Sequence, residues 1–411
     1  MMRYGFLLLL VIIFFCESNA QQKTLDDFIS IALTNSPLLK DYKNQAQANA
    51  YDSLLIRAGF QPQVGATAQA LYAPAFNNFG YDSAITNGGN YSGLITVNQS
   101  LFNKKNRNAH FQSIELLNQS LAVNSKITEV DLKLSITSQY ITAYSDYSQV
   151  LFNQSLVDLL NNEQAILKPL VEHGVYLQTD YLNLSVNISA QKIVITQAMM
   201  QYKVDLYLLN YLCGIVDTST VILSNPQISV SNTFDISNTP TMMQFHIDSL
   251  KSINSKLLID LNYRPKLSAF GDAGFQSVNP KNIPDNFGAS VGLNFSMPIY
   301  DGRQRKTQYS KISLTENTRM SYRDFYTLQF QQKINQLRGQ LKETDDLISE
   351  IKNQLAEEQN LIDLYKIEIE KGLVRFTDFI LVINNYINTK NTLTQSENNR
   401  MQIVNQLNYI K

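Results

Sequence analysis

The sequence has no tryptophan, only two cysteines and almost no net charge. Cys16 lies in the N-terminal apolar segment, so a chain cleaved after Ala20 keeps only Cys213 and forms no intrachain disulfide. The 34 basic residues are matched by 35 acidic ones, which argues against nucleic acid as a partner. After the first twenty residues no segment has 18 uninterrupted apolar residues, which argues against helical membrane spans.

Residues 1–20 have the features of a secretory signal peptide. Arg3 precedes an apolar run over residues 6–15, and small residues stand before a cleavage site after Ala20. A lipoprotein signal ending at Cys16 is the alternative, but phenylalanine directly precedes that cysteine, where a small residue is usual. The apolar run is also shorter than the ~20 residues that a transmembrane helix needs. We therefore expect an exported chain.

One nine-residue stretch occurs twice. The segment HGVYLQTDY at residues 173–181 returns as KGLVRFTDF at residues 371–379, at a shift of 198 residues. A long helical pattern precedes each copy, and a shorter one follows it. Gly174 and Gly372 can adopt the positive φ that a sharp helical reversal requires. Each copy therefore predicts the tip of a hairpin between two long helices.

Apolar residues recur every seven positions in the segment before each tip, which is typical of a coiled coil. Each segment spans about 70 residues, or ~105 Å as continuous helix, so we expect the long helices to pack along each other. The positions are Ile334, Leu341, Ile348, Leu355, Ile362 and Ile369 in the second half, and Ile136, Ala143, Val150, Val157, Gln164 and Val171 in the first.

Strand patterns precede both long helices. Residues 63–101 and 266–299 each contain two segments of about ten residues with alternating apolar and polar side chains, joined by a polar loop. That length, with one apolar face and one small or polar face, suits tilted membrane strands. An amphipathic sheet in a soluble sandwich is the alternative.

The chain is thus predicted to be mainly α with membrane β, built from two tandem repeats of long coiled-coil helices and β-hairpins. The first repeat, residues 21–240, contains a helix from Thr24 to about Arg57 that Pro37 kinks or breaks, and the β-hairpin 63–101. Its helical hairpin has a tip near Gly174, and a strand-and-loop insert at 214–240 follows. The second repeat, residues 241–411, contains a helix over 245–261, the β-hairpin 266–299 and a helical hairpin with its tip near Gly372.

Catalytic, cofactor and metal sites find little support, and we expect a protein that is not an enzyme. His110, His173 and His246 fall at unrelated positions, and no spacing suits a metal. No glycine-rich phosphate loop follows a strand. The tips are the one candidate site. Asp180 and Asp378 either cap the returning helices or, gathered by oligomerisation, form a cation-attracting pore mouth.

These features together resemble the outer membrane factor family, the TolC-like outer membrane efflux proteins. The resemblance extends over almost the whole chain after the signal segment. The residues that carry it are Thr24-Leu25-Asp26-Asp27, Ala32-Leu33, Ser36-Pro37, Pro62, Phe102, Pro265, Pro298-Ile299-Tyr300-Asp301-Gly302-Arg303 and the two tip motifs.

The resemblance implies a homotrimer, in which three protomers form a 12-stranded β-barrel in the bacterial outer membrane and an α-helical barrel in the periplasm. It also implies the outer membrane channel of a tripartite efflux pump or type I secretion system, a passive exit duct without cofactors that is gated at its periplasmic tip. The implied partners are a periplasmic adaptor (membrane fusion protein), an inner-membrane transporter and outer membrane lipid.

The resemblance assigns roles at the tips by position. Asp180 and Asp378 match the family's tip aspartates and are gate candidates together with Arg375. The pairs Gly174-Val175 and Gly372-Leu373 match the adaptor-docking turns.

Three positions depart from the family pattern. Asn183 and Leu381 stand where a further aspartate is frequent, and Val374 stands where the gate-locking arginine is expected. Arg375 is the candidate substitute for that arginine.

A periplasmic coiled-coil adaptor or scaffold without a membrane barrel is the alternative function. Such a protein would lack two membrane-length hairpins. An envelope hydrolase would need a nucleophile and base, and the sequence offers no such set. The cargo stays open among drugs, metal ions, proteins and polysaccharides.

Overall fold

The computed structural model describes residues 23–74, 88–217, 219–231 and 235–410. The signal-peptide prediction for residues 1–20, including Cys16, lies outside these ranges, as does most of the loop of the first β-hairpin. Within them the chain is mainly helical with one antiparallel sheet of four strands. None of the helices in these ranges has an apolar stretch long enough to span a bilayer.

Helices and strands follow one another in the same order in both halves of the chain, except that two helices precede the first β-hairpin and one precedes the second. The first half contains α1 (Leu25–Asn35), α2 (Pro37–Gly59), β1 (Gln63–Ala73), β2 (Gly88–Leu101), α3 (Lys104–Glu172) and α4 (Gln178–Cys213). The second half contains α5 (Pro240–Asn262), β3 (Lys266–Ser277), β4 (Phe287–Ser296), α6 (Gln304–Glu370) and α7 (Phe376–Asn408).

The helix predicted from Thr24 to Arg57 is broken, as Pro37 indicates. The Thr24 hydroxyl accepts a hydrogen bond from the Asp27 N–H at 3.3 Å, and the Asp27 carboxylate accepts one from the Thr24 N–H at 2.9 Å. This capping box begins α1. Helix α1 ends before Ser36, and Pro37 is the first residue of α2, a position where its missing N–H costs little.

The chain divides into two compact units that do not follow the two sequence repeats. One unit takes the described residues up to Leu39 together with Lys126–Ile236 and Thr327–Lys411. The other takes Lys40–Ser125 and Ser237–Tyr326. Each unit therefore combines segments from both copies of the repeat.

The first unit contains most of the seven-residue repeat, and its side chains are buried. In α6 the isoleucines at 334, 348, 362 and 369 are 0–7% exposed, while Leu341 and Leu355 are partly buried against neighbouring clusters. Leu337 packs with Ile403 and Leu407 of α7. This burial confirms that the repeat marks a helix-packing seam. In α3 the matching positions 136, 143, 150 and 157 are buried as well.

The insert predicted at 214–240 contacts the start of the described chain. Its described residues contain one parallel bridge, between Leu223 and Lys23. Tyrosine side chains bind two further backbone carbonyls of this segment. The Tyr140 hydroxyl lies 2.7 Å from the Ser224 carbonyl oxygen, and the Tyr202 hydroxyl bonds to the Val221 carbonyl. The two tyrosines therefore tie this segment to α3 and α4.

The second unit contains the sheet, in the order β1-β2-β3-β4. In the strand register Val64 pairs with Val97, Gly271 with Val291, and Asp272 with Ser290. Paired residues lie on the same face of the sheet. One face is therefore largely apolar across all four strands, and the other is small or polar. Many large apolar side chains of the first face are exposed, namely Val64, Tyr72, Ile95, Val97, Phe275, Phe287, Val291, Leu293 and Phe295.

Candidate functional site

Both predicted tips are sharp helical reversals built on a left-handed glycine. Gly174 has φ 76° and Gly372 has φ 70°. The next residue's N–H reaches back to close the helix end, at 2.8 Å from Val175 to Leu170 and at 3.0 Å from Leu373 to Glu368. With the glycine N–H bonds to residues 171 and 369, both 3.0 Å, this is the Schellman pattern.

The two tips contact each other. A Cβ atom placed on Gly372 would lie 2.6 Å from the Cγ1 atom of Val175, so only glycine fits there without movement. Apart from its chain neighbours, no described residue has an atom within 4 Å of the corresponding position on Gly174. The adaptor-docking candidates of the two copies are thus brought together at Val175 and Gly372.

Tyr176 joins the first tip to the second by hydrogen bonding. Its hydroxyl lies 3.2 Å from the carbonyl oxygen of Ile369 and 2.9 Å from that of Val374. Its ring meets Phe376 edge-on, with 6.4 Å between ring centroids. Burial, and then the charge of Asp180, raise the pKa of Tyr176, so the hydroxyl remains a donor at neutral pH.

A continuous apolar core lies behind the tips, formed by all four helices α3, α4, α6 and α7. The buried members include Leu167, Leu184, Ile369, Phe376 and Phe379, each 0–2% exposed. This core fixes the position of both turns.

Asp180 serves as a helix cap in this chain. It is the third residue of α4, and its carboxylate accepts a hydrogen bond from the Leu177 N–H at 3.2 Å. The side chain also lies at the positive end of the helix dipole. Asp180 therefore caps α4 without a contribution from a second chain. Its side chain is half-buried.

Asp378 is bound by Arg375, the other gate candidate. The Nε atom of Arg375 lies 3.1 Å from Oδ2 of Asp378, and Nη2 lies 3.3 Å from Oδ1. The arginine side chain is 83% exposed, so this ion pair is solvated and contributes little to stability. Val374, at the position of the family's arginine, instead packs against the tip core.

Exposed apolar side chains surround both turns. Leu373 is 71% exposed, Leu177 69%, Leu381 61% and Val175 49%. Leu381, which departs from the family pattern, thus adds to an apolar tip surface rather than to a ring of carboxylates.

The first unit also buries carboxyl groups that the sequence analysis did not identify. Burial raises the pKa of Asp146 to about 7, and so does the hydrogen bond that its protonated carboxyl donates to the Asp205 carboxylate. Its Oδ2 atom is buried and has no hydrogen-bond partner among the described residues. Burial alone would raise the pKa of Asp205, but hydrogen bonds from Asp146, Gln201 and Gln139 outweigh it and lower that pKa.

Glu163 of α3 is a third buried acid, closer to the tips. It is 4% exposed, and burial raises its pKa. Lys366 of α6 lowers that pKa in part, whereas Glu370 raises it further. Among the described ranges no group of three or more His, Cys, Asp or Glu side chains is placed to hold a metal ion.

Tyr176 is the tip residue that sequence reasoning missed. It belongs to the first copy of the motif, where the second copy has Val374. The only available signal was that difference, since its partners are backbone carbonyls from the other copy.

Several solved structures have the same fold as this chain. The chain aligns with CusC, which forms a transmembrane channel, at a TM-score of 0.71 and 12% identity over 93% of this chain and 90% of that one. The chain has the fold of the bacterial outer membrane channels. The outer membrane protein VceC of Vibrio cholerae gives a TM-score of 0.70 at 12% identity, over 93% of this chain and 94% of that one.

A third channel of this fold is MtrE of Neisseria gonorrhoeae in its open state. It matches with a TM-score of 0.71 at 12% identity, over 94% of this chain and 88% of that one. No family model matches the sequence, and no curated protein does. The outer membrane channel fold is therefore recognised through its structure, at low sequence identity.

Proposed function

We propose that this chain is a TolC-like outer membrane factor, the outer membrane channel of a tripartite efflux pump or type I secretion system. It works as a passive trimeric exit duct gated at its periplasmic tip. Its partners are further copies of itself, a periplasmic adaptor, an inner-membrane transporter and outer membrane lipid.

The observation that carries the proposal is the incomplete sheet with its exposed apolar face. Strands β1 and β4 are the two edges of the sheet, with no strand partner among the described residues. Open edges are not tolerated in a bilayer, because every backbone N–H and C=O needs a hydrogen-bond partner there. Three copies of four strands would close a 12-stranded barrel, with the Val291 face toward lipid and the Ser290 face inside.

The tips support the gate and docking roles. Asp180, Asp378 and Arg375 are polar groups at the turns, and Val175 and Leu373 are exposed apolar groups beside them. Exposed apolar side chains rimmed by charges suit a protein partner such as an adaptor.

The competing function, a periplasmic adaptor or scaffold, gives no role to a sheet with one exposed apolar face. Cell fractionation followed by mass measurement separates the two. We expect recovery in the outer membrane fraction, as a detergent-solubilised particle of about three chain masses. Recovery as a monomer in the soluble periplasm would contradict the channel and favour the adaptor.

A further inference from the structure

We propose that the edge of the sheet where the helices join binds anionic phospholipid head groups. This inference rests on the proposed function, since it requires the sheet to lie in a membrane. This edge is not an outer strand but the row of strand ends at one end of the sheet. It is formed by the starts of β1 and β3 and the ends of β2 and β4, and is called here the helix-side edge.

The register brings these four strand ends together. Leu101 pairs with Leu267, Lys266 pairs with Ser296, and Gln63 pairs with Asn98. The segments that connect the strands to α2, α3, α5 and α6 therefore emerge at one edge of the sheet. The opposite edge carries the two hairpin loops.

Basic residues are concentrated in those four connecting segments. Residues 57–62, 102–107, 260–266 and 297–306 contain nine basic and two acidic residues, in a chain whose totals are 34 and 35. At the opposite edge, residues 278–286 carry one lysine and one aspartate, and the first hairpin's loop sequence adds a single aspartate. The basic residues of the helix-side edge are Arg57, Lys104, Lys105, Arg107, Arg264, Lys266, Arg303, Arg305 and Lys306.

Most of the basic side chains at the helix-side edge are exposed and can contact a ligand. Eight of the nine side chains are exposed, and Arg107 is half-buried. The two acidic residues offset only part of this charge, because Asp260 forms an ion pair with Arg305 alone. Asp260 is bound by Arg305 and Tyr309, and Asp301 accepts the backbone N–H groups of residues 303 and 305 at 2.9 and 2.8 Å.

Exposed apolar side chains stand at the same edge. Phe102, Ile299 and Tyr300 are 92%, 95% and 86% exposed. Aromatic rings prefer the head-group level of a bilayer, and Lys and Arg extend from there to phosphates. Clustered basic residues beside a membrane surface attract acidic lipids. Charge and apolar exposure together therefore select a lipid leaflet with anionic head groups, on the side of the sheet where the helices attach.

The test uses the full chain reconstituted in phosphatidylcholine bilayers with spin-labelled lipids. We expect spin-labelled phosphatidylglycerol to associate with the protein more strongly than spin-labelled phosphatidylcholine, by about threefold at low salt. The preference should fall as salt rises, because screening weakens exposed charges. The variant Lys104→Gln/Lys105→Gln/Arg303→Gln/Lys306→Gln should lose it.

The matched control removes four exposed lysines of the other unit, as Lys192→Gln/Lys203→Gln/Lys333→Gln/Lys342→Gln. It should keep the wild-type preference. Equal association of both lipids with inserted, conducting wild-type protein would overturn this inference and leave the channel intact. An unchanged preference in the first variant would overturn it too. Failure of the wild type to insert at all would contradict the proposed function, and this inference with it.

Discussion

The hydroxyl of Tyr176 lies 2.9 Å from the carbonyl oxygen of Val374, the residue at the same position in the second copy of the tip motif. The two copies of the repeat are therefore joined to each other at the place where their sequences differ. Together with the contact between Val175 and Gly372, this bond makes the two turns one structural unit.

Replacing Tyr176 by phenylalanine removes only the hydroxyl that joins the tips. We expect the free energy of unfolding to fall by about 1 kcal/mol, because two carbonyls lose their donor. Thermal unfolding in detergent measures the change. Tyr181→Phe is the control, since Tyr181 packs against the same core and its hydroxyl has no hydrogen-bond partner among the described residues. Equal losses in both variants would count against the link.

The two tip glycines should respond differently to alanine. Gly174→Ala meets only the cost of a left-handed backbone, about 1–2 kcal/mol. Gly372→Ala meets the same cost and also the Val175 side chain. We therefore expect the lower melting temperature for Gly372→Ala, and partial recovery in Gly372→Ala/Val175→Ala. No recovery in the double variant would show that the tips do not contact as described.

The two faces of the sheet should tolerate charge differently. Val291 lies near the middle of β4 on the apolar face and is 89% exposed in the single chain. A lysine on the lipid face of a barrel costs about 2–4 kcal/mol at the bilayer midplane. Val291→Lys should therefore reduce assembly in the outer membrane, measured by immunoblotting of fractions. Ser290→Lys, on the adjacent polar face, should assemble normally, and the reverse order would contradict the assignment of faces.

Stability should depend on pH through Asp146. Its pKa is raised from 3.8 to about 7 in the folded chain. Between these two pH values the folded state therefore holds a proton that the unfolded state has released. Its contribution to stability is therefore lost as pH rises from about 4 through about 7. Asp205, with a lowered pKa, contributes stability that is present above 3.8 and is lost only at lower pH.

We expect Asp146→Asn to flatten the dependence of unfolding free energy on pH between about 4 and 7. Denaturant titration at a series of pH values measures it. Asp158→Asn is the control, because Asp158 is an exposed residue of the same helix. A slope unchanged by Asp146→Asn would show that the pair does not hold the proton.

Periodic features of this fold could be predicted from the sequence, and pairwise contacts could not. Seven-residue spacing located the buried seam through Ile348 and Ile362, and alternation located β3 and β4. Both signals arise from one element's own geometry. The hydrogen bonds that Tyr140 and Tyr202 donate to the carbonyls beside Leu223 come from two separate helices, and the local sequence does not indicate them. The Tyr176 bond and the pairing of Asp146 with Asp205 likewise depend on how separate helices pack.

Substitution of the two tip aspartates tests the proposed gate independently of the fold. We predict that Asp180→Ala/Asp378→Ala raises single-channel conductance or weakens block by multivalent cations, because carboxylates at a pore mouth attract cations. Arg375→Ala serves as a comparison that frees Asp378 from its partner. Unchanged conductance and block in the double variant would leave Asp180 and Asp378 with structural roles only.

Recording from wild-type protein in planar lipid bilayers tests the central claim most directly. A trimeric outer membrane duct predicts discrete conductance steps, each from one inserted particle, with protein purified from the outer membrane fraction. Absence of any steps, with the chain recovered as a soluble monomer, would contradict it.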